Sequence, residues 1–270
     1  MNWRIYILGV LFIAFGFVRV FATPQIPDRL IYNGDTLSVM LYLPNEFHSV
    51  RLFGDKETCI TTACGRGYVA TWEIVKDQLY LTGIYSCCYY EDSIQADLGL
   101  LFSEKANNGK VKADWITTNA FCQTGKIIAR IDAGLSIYEN DFEFVFNKGK
   151  LLGIKSYDNS KSRKSIYSQN QEKLKEFIYS NINWNDLPKL EEPIRIVLIF
   201  SANEIGTVDS VEVMRSDNET FNQEAVKVIK LIPDWDVFYF RGEFFRVPCF
   251  FPIVFSEEHQ KKYGKGVPNR

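Results

Sequence analysis

The residues able to do chemistry in this 270-residue chain are few: two histidines, His48 and His259, and six cysteines, Cys59, Cys64, Cys87, Cys88, Cys122 and Cys249. A serine or cysteine nucleophile needs a histidine held beside it, and no motif here supplies one. Glu91, Asp92 and Asp97 could hold a cation, but they lack the ligand periodicity of a calcium loop and read as acids near the positive end of a helix. Cys59, Cys64, Cys87, Cys88 and His48 match structural zinc spacings poorly. The adjacent Cys87 and Cys88 have no basic neighbour to lower a thiol pKa, which suits separate disulfides or plain packing. The residues therefore predict no enzyme, no cofactor and no metal. The enzymatic alternative would have to use His48 or the acids Glu91, Asp92 and Asp97.

The N-terminus bears on compartment. Arg4 precedes an apolar run over residues 5–18, and Ala22 ends a stretch suited to signal-peptide cleavage. Fourteen residues rise only about 21 Å as a helix, short of a hydrocarbon core of about 30 Å. That length favours a secretory signal over residues 1–22; the alternative is an uncleaved anchor, the only route by which the chain would touch a membrane. In an exported chain six cysteines permit three disulfides. Five lie early and one late, so one or two bridges with buried thiols are expected. A net charge of −2 gives no reason to expect a nucleic-acid partner.

The elements that must carry any site fall into two groups. Over residues 23–160 the pattern is mostly β. A hairpin turns at Asn33-Gly34-Asp35, a second joins residues 67–75 to 79–85, and a third turns at Asn147-Lys148-Gly149-Lys150. A short helix is expected within residues 92–102, and further strands at 111–117 and 126–133. Residues 157–164 are polar and charged and read as the domain boundary.

Beyond it, capping boxes at Ser168 to Gln171 and Thr220 to Gln223 each precede a helical apolar stripe. Residues 194–201 read as a covered strand, 207–214 as its return, and 244–255 as the longest strand of the chain. Asn203, Gly206, Val211, Arg215, Phe221, Ala225, Ile232, Pro233, Trp235, Gly242 and residues 252–255 fall in an order and spacing that resembles the TonB C-terminal domain, over about residues 171–255. No Pro-rich spacer precedes them.

The resemblance implies a small domain over residues 161–258 with helices on a three-stranded antiparallel sheet, which with the mostly-β unit before it and a polar tail over 259–270 makes an α+β chain. It also implies export to the periplasm of a Gram-negative envelope and a protein partner, such as an outer-membrane receptor segment, added as a strand to a sheet edge. Residues 244–255 are the candidate edge. Pro248 and Pro252 share one parity and so remove donors from one side. That shifts the expected pairing to Phe244, Phe245, Arg246 and Val247, with Gly206, Trp235 and Gly242 as supports. A scaffold component without a receptor partner is the alternative.

Overall fold

The computed structural model describes residues 23–49, 51–59, 61–132, 135–216 and 218–264. The signal or anchor expected over residues 1–22 and the side chain of His48 lie outside them. The chain is α+β. Its first part is one curled sheet made of β1 (Asp28–Tyr32), β2 (Asp35–Val39), β3 (Val69–Val75), β4 (Gln78–Tyr85), β5 (Ala106–Asn107), β6 (Lys110–Lys112), β7 (Thr118–Asp132), β8 (Leu135–Asn147) and β9 (Lys150–Asp158). The main path runs β2-β1-β3-β4-β9-β8-β7, with β6 beside β4 and β5 beside β6. Among the described residues, only β1 and β3 pair in parallel. The two ends of the path, β2 and β7, touch and wrap the sheet around Leu30, Trp72, Leu81 and Phe144.

The turns follow the sequence. Asn33 and Gly34 both take positive φ, as do Lys148 and Gly149, the geometry a two-residue hairpin needs. The helix α1 (Tyr89–Asp92) precedes the short helix expected within residues 92–102, which is α2 (Leu98–Phe102). The strand expected over 111–117 ends at Lys112, whereas β7 begins eight residues before the run at 126. Asp28, buried at the start of β1, accepts from both Arg66 guanidinium nitrogens (2.8 and 3.1 Å), from Ala70 N–H and from Trp72 Nε1–H. A buried carboxylate is tolerable only with such a full set of donors.

Cys59 bonds to Cys88 and Cys64 to Cys87, so the adjacent pair does serve two separate bridges. Cys122 is a buried thiol. Two disulfides suit an oxidising, exported location. Among the described residues, no helix is long and apolar enough to cross a membrane.

The C-terminal part runs α3 (Ile166–Gln169), α4 (Gln171–Asn181), β10 (Ile194–Ala202), β11 (Val208–Arg215), α5 (Glu219–Lys230), β12 (Tyr239–Phe240), β13 (Glu243–Phe244), β14 (Cys249–Phe255) and α6 (Glu257–Tyr263). Strands β11-β10-β14 form an antiparallel sheet. Leu174 and Ile178 of α4, together with Phe221, Ala225 and Val228 of α5, bury against Ile196, Leu198 and Phe200 of β10. The caps sit beside the expected boxes. Asn170 accepts from Lys173 N–H and Asn218 from Phe221 N–H, because an Asn at the true boundary reaches the free donors that Ser168 and Thr220 do not.

The boundary expected at residues 157–164 is not a free linker. Asn159 has no exposed surface and ties the two parts together. Its Nδ2–H donates to Asp141 Oδ2 (2.7 Å) and Tyr138 O (3.1 Å), while its Oδ1 accepts from Gly242 N–H (2.9 Å). Arg163 and Val237 exchange both main-chain hydrogen bonds, and Ser165 N–H donates to Asp236 at 2.6 Å. Ala129 and Ile137 of the first part pack on Phe238 of the second. Polarity here feeds a buried hydrogen-bond network rather than solvent.

Candidate partner-binding site

The long strand expected over residues 244–255 is broken. Phe244 belongs to the small β12–β13 hairpin, where it pairs with Tyr239, and β14 starts only at Cys249. Two features break it: the Arg241-Gly242 turn, both residues at positive φ, and Pro248, which cannot donate to a ladder.

The four residues expected to pair with a partner are consequently engaged inside the molecule. Phe245 N–H donates to Phe238 O at 2.8 Å. Arg246 holds Asp209 with two nitrogens (2.5 and 3.1 Å) and Ser201 Oγ with one. Val247 packs into the cluster around Ala129 and Phe238. The Arg246 hydrogen bonds hold the Asp209 carboxyl below the usual carboxylate range. Gly206 (φ +91°) leaves room for Asp234 and Arg163, and its carbonyl accepts from Trp235 N–H. Gly242 receives the Asn159 clasp.

The open edges of the C-terminal sheet are β11 and β14. On β14 the strand period of two sends the main-chain groups of Phe250, Pro252 and Val254 away from β10. Pro252 has no N–H to offer. Val254 is capped on both counts: its N–H donates to the Tyr179 hydroxyl (3.1 Å), and its carbonyl accepts from His259 Nδ1 (2.9 Å). The His259 ring stacks on Tyr179 with centroids 4.2 Å apart. The expected polar tail thus begins as helix α6, which lies over the end of β14. Phe250 is left with its N–H facing outward and is 51% exposed, while its carbonyl accepts from the Cys249 thiol at 3.9 Å.

Phe250 borders a groove of about 820 Å³. Arg130 and Ile131 of β7, Tyr167, Leu174, Trp235 and residues 247–251 line it. Its lining comes from both parts, which the Asn159 hydrogen bonds help tie together. Burial pushes the Asp236 carboxyl in it upward. Periodicity could not show this site, since its walls come from residues more than a hundred positions apart.

The candidates for an enzymatic site are dispersed. Asp97 caps α2, accepting from Gly99 and Leu100 N–H, and Asp92 accepts from Ser86 Oγ–H and Ile94 N–H. Glu91 points to solvent. His259 is spent on β14. Among the described residues, no three His, Cys, Asp or Glu side chains gather as metal ligands. Compared with known proteins, the chain matches no family model, no curated protein and no solved structure.

Proposed function

We propose that this chain is a non-enzymatic, exported cell-envelope protein whose residues 161–258 act as a TonB-like module. It binds an extended segment of a protein partner by adding it as a strand at the open start of β14. The observation that carries this reading is the element order α4-β10-β11-α5-β14 with sheet order β11-β10-β14 and helices on one face, the order expected from the sequence resemblance. The paired cysteines support export. The test uses the mature, oxidised protein as bait in an envelope extract. Recovery of outer-membrane receptors supports the reading, and recovery of the bait alone overturns it.

A second reading, an envelope scaffold component without a receptor partner, is favoured by one observation: the end of β14 is already capped by Tyr179 and His259. In that case, variants that uncap Val254 leave the set of recovered proteins unchanged.

A further inference from the structure

The groove between the two parts is lined by two cations, Arg130 and Lys164, and by one acid, Asp236. Arg130 and Lys164 both line it, both are exposed, and neither forms an ion pair among the described residues. Asp236, the one acid in the lining, is attracted to Lys164 and is held by Ser165 N–H (2.6 Å) and by the Ser168 hydroxyl (2.5 Å), which leaves Arg130 without an acidic partner in the groove. The other nearby charges are already matched, Arg163 to Asp234 and Arg246 to Asp209.

The same groove opens on the one position of the β14 edge that remains available. Proline removes the donors at 248 and 252, and Tyr179 takes the donor at Val254. Phe250 shares the parity of Val254, so its N–H faces away from β10, while its carbonyl accepts from the Cys249 thiol at 3.9 Å. An incoming strand therefore finds one main-chain donor, in a groove also lined by apolar surface from Tyr167, Leu174 and Phe250 and by the cations Arg130 and Lys164. One such site gives little affinity alone, so the charges must supply both attraction and selectivity.

We propose that the groove takes an extended acidic peptide segment, which pairs its main chain with Phe250 and sets carboxylates against Arg130 and Lys164. This rests on the strand-addition reading above and adds to it the chemistry of the partner. It also gives the N-terminal part a role in recognition, since Arg130 belongs to β7. The C-terminal module alone would then be an incomplete site.

The test uses the full mature chain and two synthetic nonapeptides, one alternating valine with aspartate and the other valine with lysine. Binding is followed by fluorescence anisotropy at low and high salt. The acidic peptide should bind at least tenfold more tightly than its lysine counterpart and weaken as salt screens the cations. Arg130→Glu with Lys164→Glu should reverse that preference; both side chains are on the surface, so the fold is expected to survive. Phe250→Pro, which removes the outward donor without touching the β10 ladder, should abolish binding of the acidic peptide. Equal affinity for both peptides overturns the acidic assignment, yet leaves strand addition standing if the Phe250 amide becomes protected from hydrogen exchange. Absence of binding by either peptide overturns the groove as a site, while the receptor pull-down decides the module reading on its own.

Discussion

The main-chain N–H of Val254 donates to the hydroxyl of Tyr179, 75 residues earlier in the chain, at 3.1 Å. With the carbonyl of the same residue held by His259, the far end of β14 is closed by side chains of α4 and α6 in the place where another strand would lie. Unpaired strand edges template association, and this cap removes part of one. Tyr179→Phe leaves the Val254 donor without its partner. The expected result is faster hydrogen exchange at that amide and a loss of about 1–3 kcal/mol of stability, measured by NMR exchange and urea unfolding.

Asn159 is the clasp between the two parts, with three side-chain hydrogen bonds and no exposed surface. Asn159→Ala should cost roughly 2–4 kcal/mol, because Asp141 and Gly242 each lose a buried partner. Asn159→Asp should cost more at neutral pH than at pH 3, since it sets a second carboxylate beside the buried Asp141. Urea midpoints at the two pH values check this.

The cluster on the outer face of β8 and β9 should fail at both ends of the pH scale. Glu143 bonds to the Tyr157 hydroxyl, to Lys155 at 3.2 Å and to Asn119 at 2.5 Å, and it titrates below the usual carboxylate range, chiefly because of Tyr157. Tyr157 is raised for the same reason. A lowered acid stabilises above its unfolded pKa of about 4, and that contribution disappears as pH falls through the folded value. A raised tyrosine stabilises below its unfolded pKa of about 10, and its contribution disappears as pH rises through the folded value. Glu143→Gln should flatten both limbs of a stability-against-pH curve.

The two disulfides enclose separations of 29 and 23 residues. Loop closure of that size stabilises by about 3 kcal/mol per bridge. Cys64→Ser with Cys87→Ser should lower the unfolding temperature by several degrees in oxidising buffer, and dithiothreitol should bring the parent protein down further still, since it opens both bridges.

Burial alone pushes the Cys122 thiol up to about 12, so almost none of it is thiolate at neutral pH. Iodoacetamide at pH 7.5 should leave Cys122 unmodified in the native protein and label it fully in 6 M guanidinium, as read by peptide mass spectrometry.

The legible parts of this fold were those set by local rules. Asn33-Gly34 and Lys148-Gly149 announced their hairpins through the backbone angles they accept, and the stripe from Phe221 to Ile232 announced a helix packed on one face. The break before β14 was harder to see. Pro248 was weighed as a missing donor within a strand, whereas with the Arg241-Gly242 turn it ends the strand altogether. The first half of β7 was hidden because Gln123-Thr124-Gly125-Lys126 interrupts its apolar alternation at a bulge. The hydrogen-bonding at the junction is closed to local rules for a more general reason. Asn159, Ser162 and Ser165 look like solvent-facing linker residues until their partners, some 70 to 83 positions later, are placed beside them. The Arg130–Lys164 groove depends on that same juxtaposition, so no local pattern could have revealed it.

The Asn159 clasp also sets an order of events during synthesis and export. Strands β7, β8 and β9 can pair as soon as residue 158 is available. Asp141 nevertheless needs the N–H of Arg241, and Asn159 needs that of Gly242, both of which arrive more than eighty residues later. Until the β12–β13 hairpin is delivered, the first part carries a polar face that only water can satisfy. The hairpin is therefore the closing piece of the N-terminal part as much as a member of the C-terminal one, and a chain truncated before residue 240 would leave that face permanently open.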